Sequence, residues 1–325
     1  MDNLTHSLVG LLMRRVGVAQ DAVRPTLLCV LAANAPDADV VMGLSAPEYL
    51  VWHRNITHAV VMIPVVALAA AAIVWGIDRI RGPRKPWSWR AAWLAALLPA
   101  ASHPLLDAMN SYALRPWLPF SGRWFSFDTL FVIDWLVWLA LLLAVLWPAL
   151  ANLVAGEIGA PAERGRRAAW AGLLALSLYV GFKGYGHAQV VHALQARLWE
   201  GLPATRVAAF PAIFNPLGWT GYVETDALKM TLPVRVDRLT QIERTPVRKF
   251  YPPPDAAAVD AAWATEIGRA YKQFSLYPLA LVEPLPEGTR VTLTDARFSR
   301  AAREGFAVVV ELDGQGRVTK QSFNF

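Results

Sequence analysis

Cysteine is nearly missing from this chain: Cys29 is the only one in 325 residues. Its solitude excludes an internal disulfide and any zinc site built from several thiolates. Charge is scarce as well. Only 17% of the residues are charged against 55% hydrophobic, and mean hydropathy is +0.33, a balance too apolar for an ordinary soluble enzyme of this length. A basic leader is absent too, and His6 arrives before any long apolar run, so no cleavable signal peptide is expected. No internal repeat is visible.

What the chain does contain is apolar runs. Ala59 to Ile77, Ala91 to Leu106, Thr129 to Leu150 and Ala168 to Gly186 each approach the ~20 residues that cross a hydrocarbon core of ~30 Å at 1.5 Å per residue. Leu4 to Met13 falls short and Pro25 to Val41 carries Asp37 and Asp39 near one end, so both read as tilted or re-entrant segments. The expected fold is a polytopic α-helical membrane domain over residues 1–190, with four to six transmembrane helices. A soluble α+β domain over residues 202–325 follows. There "RVTLTDAR" and "FAVVVELDGQGRVTKQSFNF" alternate as strands do, the latter with a glycine-bearing hairpin turn, and Ala256 to Phe274 is the one helical stretch.

The net charge of +6 and pI of about 9.6 do not call for nucleic acid, because the basic residues sit in short linkers. "DRIRGPRKPWSWR" carries Arg79, Arg81, Arg84, Lys85 and Arg90, and "ERGRR" carries Arg164, Arg166 and Arg167. The positive-inside rule makes both linkers cytoplasmic. Ala59, Leu106, Thr129 and Gly186 then lie outside, and the C-terminal domain is expected in the periplasm of a bacterial inner (plasma) membrane. Arg14, Arg15 and Arg24 place His6 and Asp37 outward by the same logic. Trp87, Trp89, Trp93, Trp117 and Trp124 fit interfacial belts.

The polar residues near the runs fall into compact motifs. They are "NLTHSLVG" with His6, "NAPDAD" with Asp37 and Asp39, "HRNITH" with His53 and His58, "SHPLLD" with His103 and Asp107, and "FDTLFVID" with Asp128 and Asp134. On this topology all lie at outer helix ends and converge on one membrane face. Such groups are costly at membrane depth and normally partner one another. Several carboxylates together repel, and a divalent cation removes that repulsion. Imidazole with carboxylate suits Zn or Mn, as one or two ions. His103 and Asp107, four apart, share one helix face if the helix continues past Pro104. Each motif also has a simpler explanation: an interfacial histidine at His58, a helix end or Asx turn at Asp37 and Asp39, an N-cap at Asp128. Asp134, expected about a turn and a half into an apolar helix, has no such alternative. His187 and His192 read as surface residues.

In the order "THSLVG", "NAPDAD", "HRNITHA", "HPLLDAMNSYALRP" and "FSFDTLFVIDW", these motifs resemble those of the bacterial and archaeal predicted membrane-bound metal-dependent hydrolases, a family with a distant likeness to zinc-dependent phospholipases C. The resemblance covers about residues 1–150 and leaves the C-terminal domain unassigned. It implies hydrolase activity and a metal site made from His6, Asp37, Asp39, His53, His58, His103, Asp107 and Asp134, with His103, Asp107 and Asp134 at the reacting centre. Arg54, Arg115 and Arg123, in or beside the motifs, are expected to meet a phosphoester or lipid-like substrate, since guanidinium matches phosphate bidentately. Headgroup contact or charge pairing is the alternative for these arginines. Membrane lipid is the expected partner. The competing reading is a non-enzymatic metal-binding or regulatory membrane protein. Cation transport is disfavoured, because the inner halves of the runs, such as Val66 to Val74, are apolar.

Overall fold

The computed structural model describes residues 1–43, 45–82, 85–157, 165–237, 240–242, 247–298 and 306–324. Arg84, Glu163 and Arg164 of the basic linkers lie outside them. By contact the chain forms two units, one of Met1–Asp39 with Arg54–Gly184 and one of Val40–His53 with Tyr185–Phe325.

The first unit is helical. Its helices are α1 (Asn3–Val16), α2 (Pro25–Asn34), α4 (Ile63–Ile80), α5 (Trp89–Ala108), α6 (Trp135–Glu157) and the first part of α7 (Arg166–Gln195); α3 (Ala46–Trp52) belongs to the second unit. Local chemistry sets the ends. The Asp2 carboxylate accepts from Thr5 N–H at 3.0 Å and starts α1, while Gly17, at φ 120°, ends it. Pro25 opens α2, and Ser88 caps α5. Alanine dominates the seam between α2, α4 and α5: Ala32, Ala67, Ala70, Ala71, Ala92, Ala96 and Ala100 are all fully buried there or nearly so. Small side chains let helix backbones approach closely, which is how helices pack where lipid removes the hydrophobic drive between them. At Gly10 a Cβ would stand 2.7 Å from the Cys29 carbonyl oxygen, so α1 and α2 touch through main chain.

Among the described residues two helical segments, Val60–Ile80 and Trp135–Val154, are long and apolar enough to cross a membrane. The helices do not support the expected count of four to six. At 1.5 Å per residue, α1 and α2 rise about 21 and 15 Å, short of a hydrocarbon core. Pro99, His103 and Asp107 dilute α5, and Lys183 and His187 dilute α7. Even so, α5 exposes Leu94, Leu98 and Leu105, and α7 exposes Trp170, Leu174, Leu178 and Phe182 at four-residue spacing.

The apolar run from Thr129 becomes helix only at Trp135. Phe127 N–H donates to the Ala108 carbonyl at 2.7 Å, and Thr129 and Leu130 N–H donate to Met109 at 2.8 and 2.9 Å. Main chain committed to the end of α5 cannot also make helical bonds. This connection from α5 to α6 also straps the turns before α4: Val60 N–H reaches the Pro116 carbonyl at 3.0 Å and Arg115 N–H the Arg54 carbonyl at 3.4 Å.

The second unit is rich in sheet. After the hairpin β1 (Leu198–Trp199) and β2 (Leu202–Pro203), an antiparallel sheet runs β3 (Arg206–Pro211), β4 (Gly218–Glu224), β5 (Lys229–Val236), β6 (Thr240–Ile242), with β7 (Arg248–Phe250) also on β5. A second antiparallel sheet has the order β11 (Val318–Asn324), β10 (Ala307–Asp313), β9 (Gly288–Asp295), β8 (Pro278–Leu285). The expected helix from Ala256 to Phe274 is two helices, α8 (Ala256–Ala264) and α9 (Glu266–Phe274). Thr265 divides them: its extended backbone ends α8, and its Oγ1 accepts from Gly268 N–H at 3.0 Å to start α9. Segment 40–53, which follows "NAPDAD" in sequence, packs α3 against α9 and so folds with the C-terminal half.

Candidate metal centre

Four side chains meet at one end of the helical unit. Asp37 comes from the 3-10 turn Ala35–Met42, His58 from the turn Ile56–His58 just before α4, and His103 and Asp107 from successive turns near the end of α5. Their ligand atoms all lie within 4.8 Å of one another. His58 Nε2 is 3.2 Å from His103 Nε2 and 3.4 Å from Asp37 Oδ1. His103 Nε2 is 3.3 Å from Asp37 Oδ1, and Asp107 Oδ2 lies 3.5 and 3.7 Å from the two imidazoles. Zinc bonds of ~2.0–2.1 Å put tetrahedral ligand atoms ~3.3–3.4 Å apart. These five separations lie close to what a tetrahedral cation site requires.

The surroundings orient the ligands. His103 Nδ1 lies 2.7 Å from the carbonyl of Ala33. A carbonyl only accepts, so Nδ1 carries the proton and Nε2 keeps its lone pair toward the cluster. His58 Nδ1 faces Asp39 Oδ2 at 3.3 Å and Thr57 Oγ1 at 3.1 Å. Asp39 in turn accepts from Thr57 Oγ1 at 2.8 Å and Arg54 N–H at 2.9 Å. This is a carboxylate, histidine, ligand-atom relay of the kind that sets tautomer and ring orientation in metal sites. His58, His103 and Asp107 are fully buried, whereas Asp37 keeps 17% exposure. Asp107 Oδ2 is buried without a hydrogen bond, its contacts being Arg54 Nε at 2.9 Å and the two imidazoles at 3.5 and 3.7 Å. A buried carboxylate oxygen in that condition fits a cation.

Electrostatics follow the geometry. Burial works to raise the Asp37 carboxyl, but hydrogen bonds from His103 and His58 outweigh it and hold the group well below the usual carboxylate range. Burial works to lower His58, and the carboxylates of Asp107, Asp37 and Asp39 more than offset this, lifting it to about 10.

The other expected site residues lie outside this group of four. His6 lies behind the four, stacked on His103 with ring centroids 3.7 Å apart and its Nε2 3.3 Å from Asp107 Oδ1, an oxygen also met by the Met1 amino group. Asp39 orients His58. His53 ends α3 in the second unit, where its ring stacks on Tyr49 at 4.8 Å. Asp134 is not inside a helix. It precedes α6 and accepts from Leu136 and Val137 N–H at 3.1 and 3.4 Å and from Tyr179 Oη at 3.1 Å, which is N-capping. Asp128, at φ 51°, accepts from Ser126 Oγ at 3.0 Å and caps no helix.

Arg54 is at the site: Nη1 donates to Asn110 Oδ1 at 2.9 Å, and the guanidinium lies over the Tyr112 ring, 4.6 Å from its centroid. Arg115 is half-buried over Trp124 at 4.4 Å, and Arg123 is exposed on the connecting loop. Thr57, Asn110 and the Ala33 carbonyl are the participants that residue type did not reveal. Thr57 and Asn110 stand within the quoted motifs, but nothing in a threonine or an asparagine distinguishes a partner of a ligand from a turn residue.

Residues 1–190 match the YdjM inner membrane protein family, and the chain belongs to it. That description carries a membrane location and no activity. No curated relative and no solved structure matches the chain.

Proposed function

We propose that this inner-membrane protein holds one divalent cation, zinc by preference, and uses it to hydrolyse an ester in a phosphate-bearing or lipid-like substrate at the outer membrane face. The observation that carries the reading is the set of four ligand atoms at tetrahedral spacing. Such spacing favours zinc over manganese, which takes six ligands more readily. The likeness of the motifs to metal-dependent hydrolases supports the reaction class.

When bound, the cation would polarise a substrate oxygen and bring the pKa of water towards ~7. The chain's own contributions are separable. His103 is locked in one tautomer by Ala33, and His58 is oriented by Asp39. Arg54 stands beside the ligands with its fork fixed, and Asp37 is the ligand in touch with solvent.

The outer location rests on charge. Arg79, Arg81 and Arg90 flank the connection from α4 to α5, at the end of this helix pair opposite His58 and Asp107. Arg24 pairs with Asp78 there at 2.7 Å, and Lys85 Nζ reaches the Asp21 carbonyl at 2.7 Å. We read the apolar outer stripes of α5 and α7 as lipid-facing, so that α4, α5, α6 and α7 all cross the membrane and residues after Gly186 lie in the periplasm. Reporter fusions after Leu150 and Phe325 test this. A cytoplasmic C-terminus overturns it.

A second reading has its own support. Four protein ligands already complete a zinc tetrahedron, as they do in structural sites. Metal analysis of detergent-purified protein, followed by assay against phospholipids, lipid pyrophosphates and acyl esters with and without chelator, separates the two. Chelator-sensitive turnover supports hydrolysis. Retained zinc whose removal lowers the melting temperature, with no turnover of any substrate, supports the structural role.

A further inference from the structure

We propose that Arg54 and Asn110 form an oxyanion subsite beside the metal ligands, one that receives a phosphate or phosphomonoester and in which Asn110 Nδ2 is the specificity donor. The inference rests on the metal reading above and names a substrate class for it.

Arg54 is held from several directions. Its backbone sits at φ 57°, a conformation that few non-glycine residues adopt. Its N–H is bound by Asp39 Oδ2 and its carbonyl by Arg115 N–H, so that strained position is fixed by the site itself. The side chain is 4% exposed, with Nε 2.9 Å from Asp107 Oδ2, Nη1 on Asn110 and the plane over Tyr112. A guanidinium so close to a cation site is electrostatically adverse unless an anion shares the space. Asp37, Asp39 and Asp107 carry three negative charges, which together balance a divalent cation and Arg54, so it is the amide of Asn110 that calls for an added anion.

Asn110 supplies the independent observation. It is fully buried, and its Oδ1 accepts from both Arg54 Nη1 at 2.9 Å and Tyr112 N–H at 2.8 Å. Two donors on one atom identify it as the oxygen. The other end, Nδ2, is buried with no hydrogen-bond partner. A buried amide N–H₂ without an acceptor is costly and calls for a ligand. Nδ2 shares a carbon with Oδ1, the atom that Arg54 Nη1 touches. Arg54 thus links the cation ligands to Asn110, touching Asp107 through Nε and Asn110 through Nη1, so that cation ligands, guanidinium and amide form one buried cluster. A phosphomonoester has three terminal oxygens to match them, and a carboxylate has two. The partial exposure of Asp37 marks the side from which the anion enters.

The test uses the zinc-loaded full chain in nanodiscs, with metal content measured first and inorganic phosphate then titrated by calorimetry. Wild type should bind phosphate, and acetate should not compete. Asn110→Asp, which replaces the donor by an acceptor, should keep its zinc and bind phosphate at least tenfold more weakly. If that variant fails to fold, Asn110→Ser provides the same comparison, and Arg54→Lys should also weaken binding by breaking the fork. Phosphatidic acid in the nanodisc should compete with phosphate if a lipid headgroup is the source, and should not if the ligand is free phosphate. Zinc-loaded wild type that does not bind phosphate, or asparagine variants that bind it like wild type, overturns the subsite alone. A chain that retains no zinc overturns the metal reading and the subsite with it.

Discussion

His103 donates through Nδ1 to the carbonyl of Ala33 at 2.7 Å, across the contact between α5 and α2. A main-chain acceptor thus decides which imidazole nitrogen faces Asp37, His58 and Asp107. The position of α2 is therefore part of the candidate metal centre, although α2 contributes none of its four side chains.

That dependence is testable at Gly10. A Cβ there meets the Cys29 carbonyl at 2.7 Å and the Ala33 Cβ at 3.0 Å, so Gly10→Val must displace α2 along with the acceptor of His103. Zinc affinity should fall at least tenfold with the ligands unchanged, read by competition with a chromogenic chelator. Gly10→Ala should have a smaller effect of the same sign. Unaltered affinity in both would detach α2 from the site.

Asp39 is expected to tune affinity without being a ligand. Asp39→Asn removes the charge behind His58 Nδ1 and should cost about 10–100-fold in metal affinity, the usual range for a group that orients a ligand. Losing His58 itself, as in His58→Ala, should reduce metal stoichiometry and not merely affinity. Equal effects of the two substitutions would place Asp39 on the cation.

At Asp134 the observed geometry predicts a stability effect. Asp134→Ala removes the N-cap of α6 and should destabilise the helical unit by about 0.5–2 kcal/mol, leaving zinc content as in wild type. Asn caps about as well as Asp, so Asp134→Asn should retain most of the stability. Loss of zinc from either variant would return Asp134 to the ligand set.

In the second unit, Asp295 is fully buried against Arg297, whose Nε and Nη2 reach its two oxygens at 2.9 and 3.0 Å. Burial works to raise the carboxyl, and the Arg297 charge with its hydrogen bonds lowers it below the ordinary carboxylate value. A depressed folded-state value means that this stabilisation is complete above the unfolded pKa of ~3.9 and is lost as pH falls through the folded value. Wild type should accordingly lose its near-ultraviolet signal in acid below about pH 4. Asp295→Asn should be destabilised by about 3–5 kcal/mol already at neutral pH, because it strands Arg297. A variant as stable as wild type at pH 7 would contradict this.

Several features were legible in the chain before any fold. Apolar runs and few charges mark a membrane protein, because only backbone-satisfied helices tolerate hydrocarbon. The linear alternation over β9 to β11 marks sheet, because side chains there face opposite sides in turn. The spacing of His103 and Asp107 puts them on one face, because a helix repeats every 3.6 residues. Each of these follows from local periodicity. What tertiary structure decided depends on distances between segments. His6, His58 and His103 are alike as residues, yet only two reach the common point, since a ligand atom must stand within ~2 Å of the cation and His6 is held behind Asp107. Asp134 became a cap because the preceding strap bonds to the end of α5 and delays helix α6 to Trp135. Segment 40–53 left the helical unit for α9, a choice made by packing against residues more than two hundred positions away. The amide of Asn110 acquired its meaning only from Arg54, because hydrogen bonding is specified by which donors and acceptors the fold brings within 3 Å, and sequence order does not encode that distance.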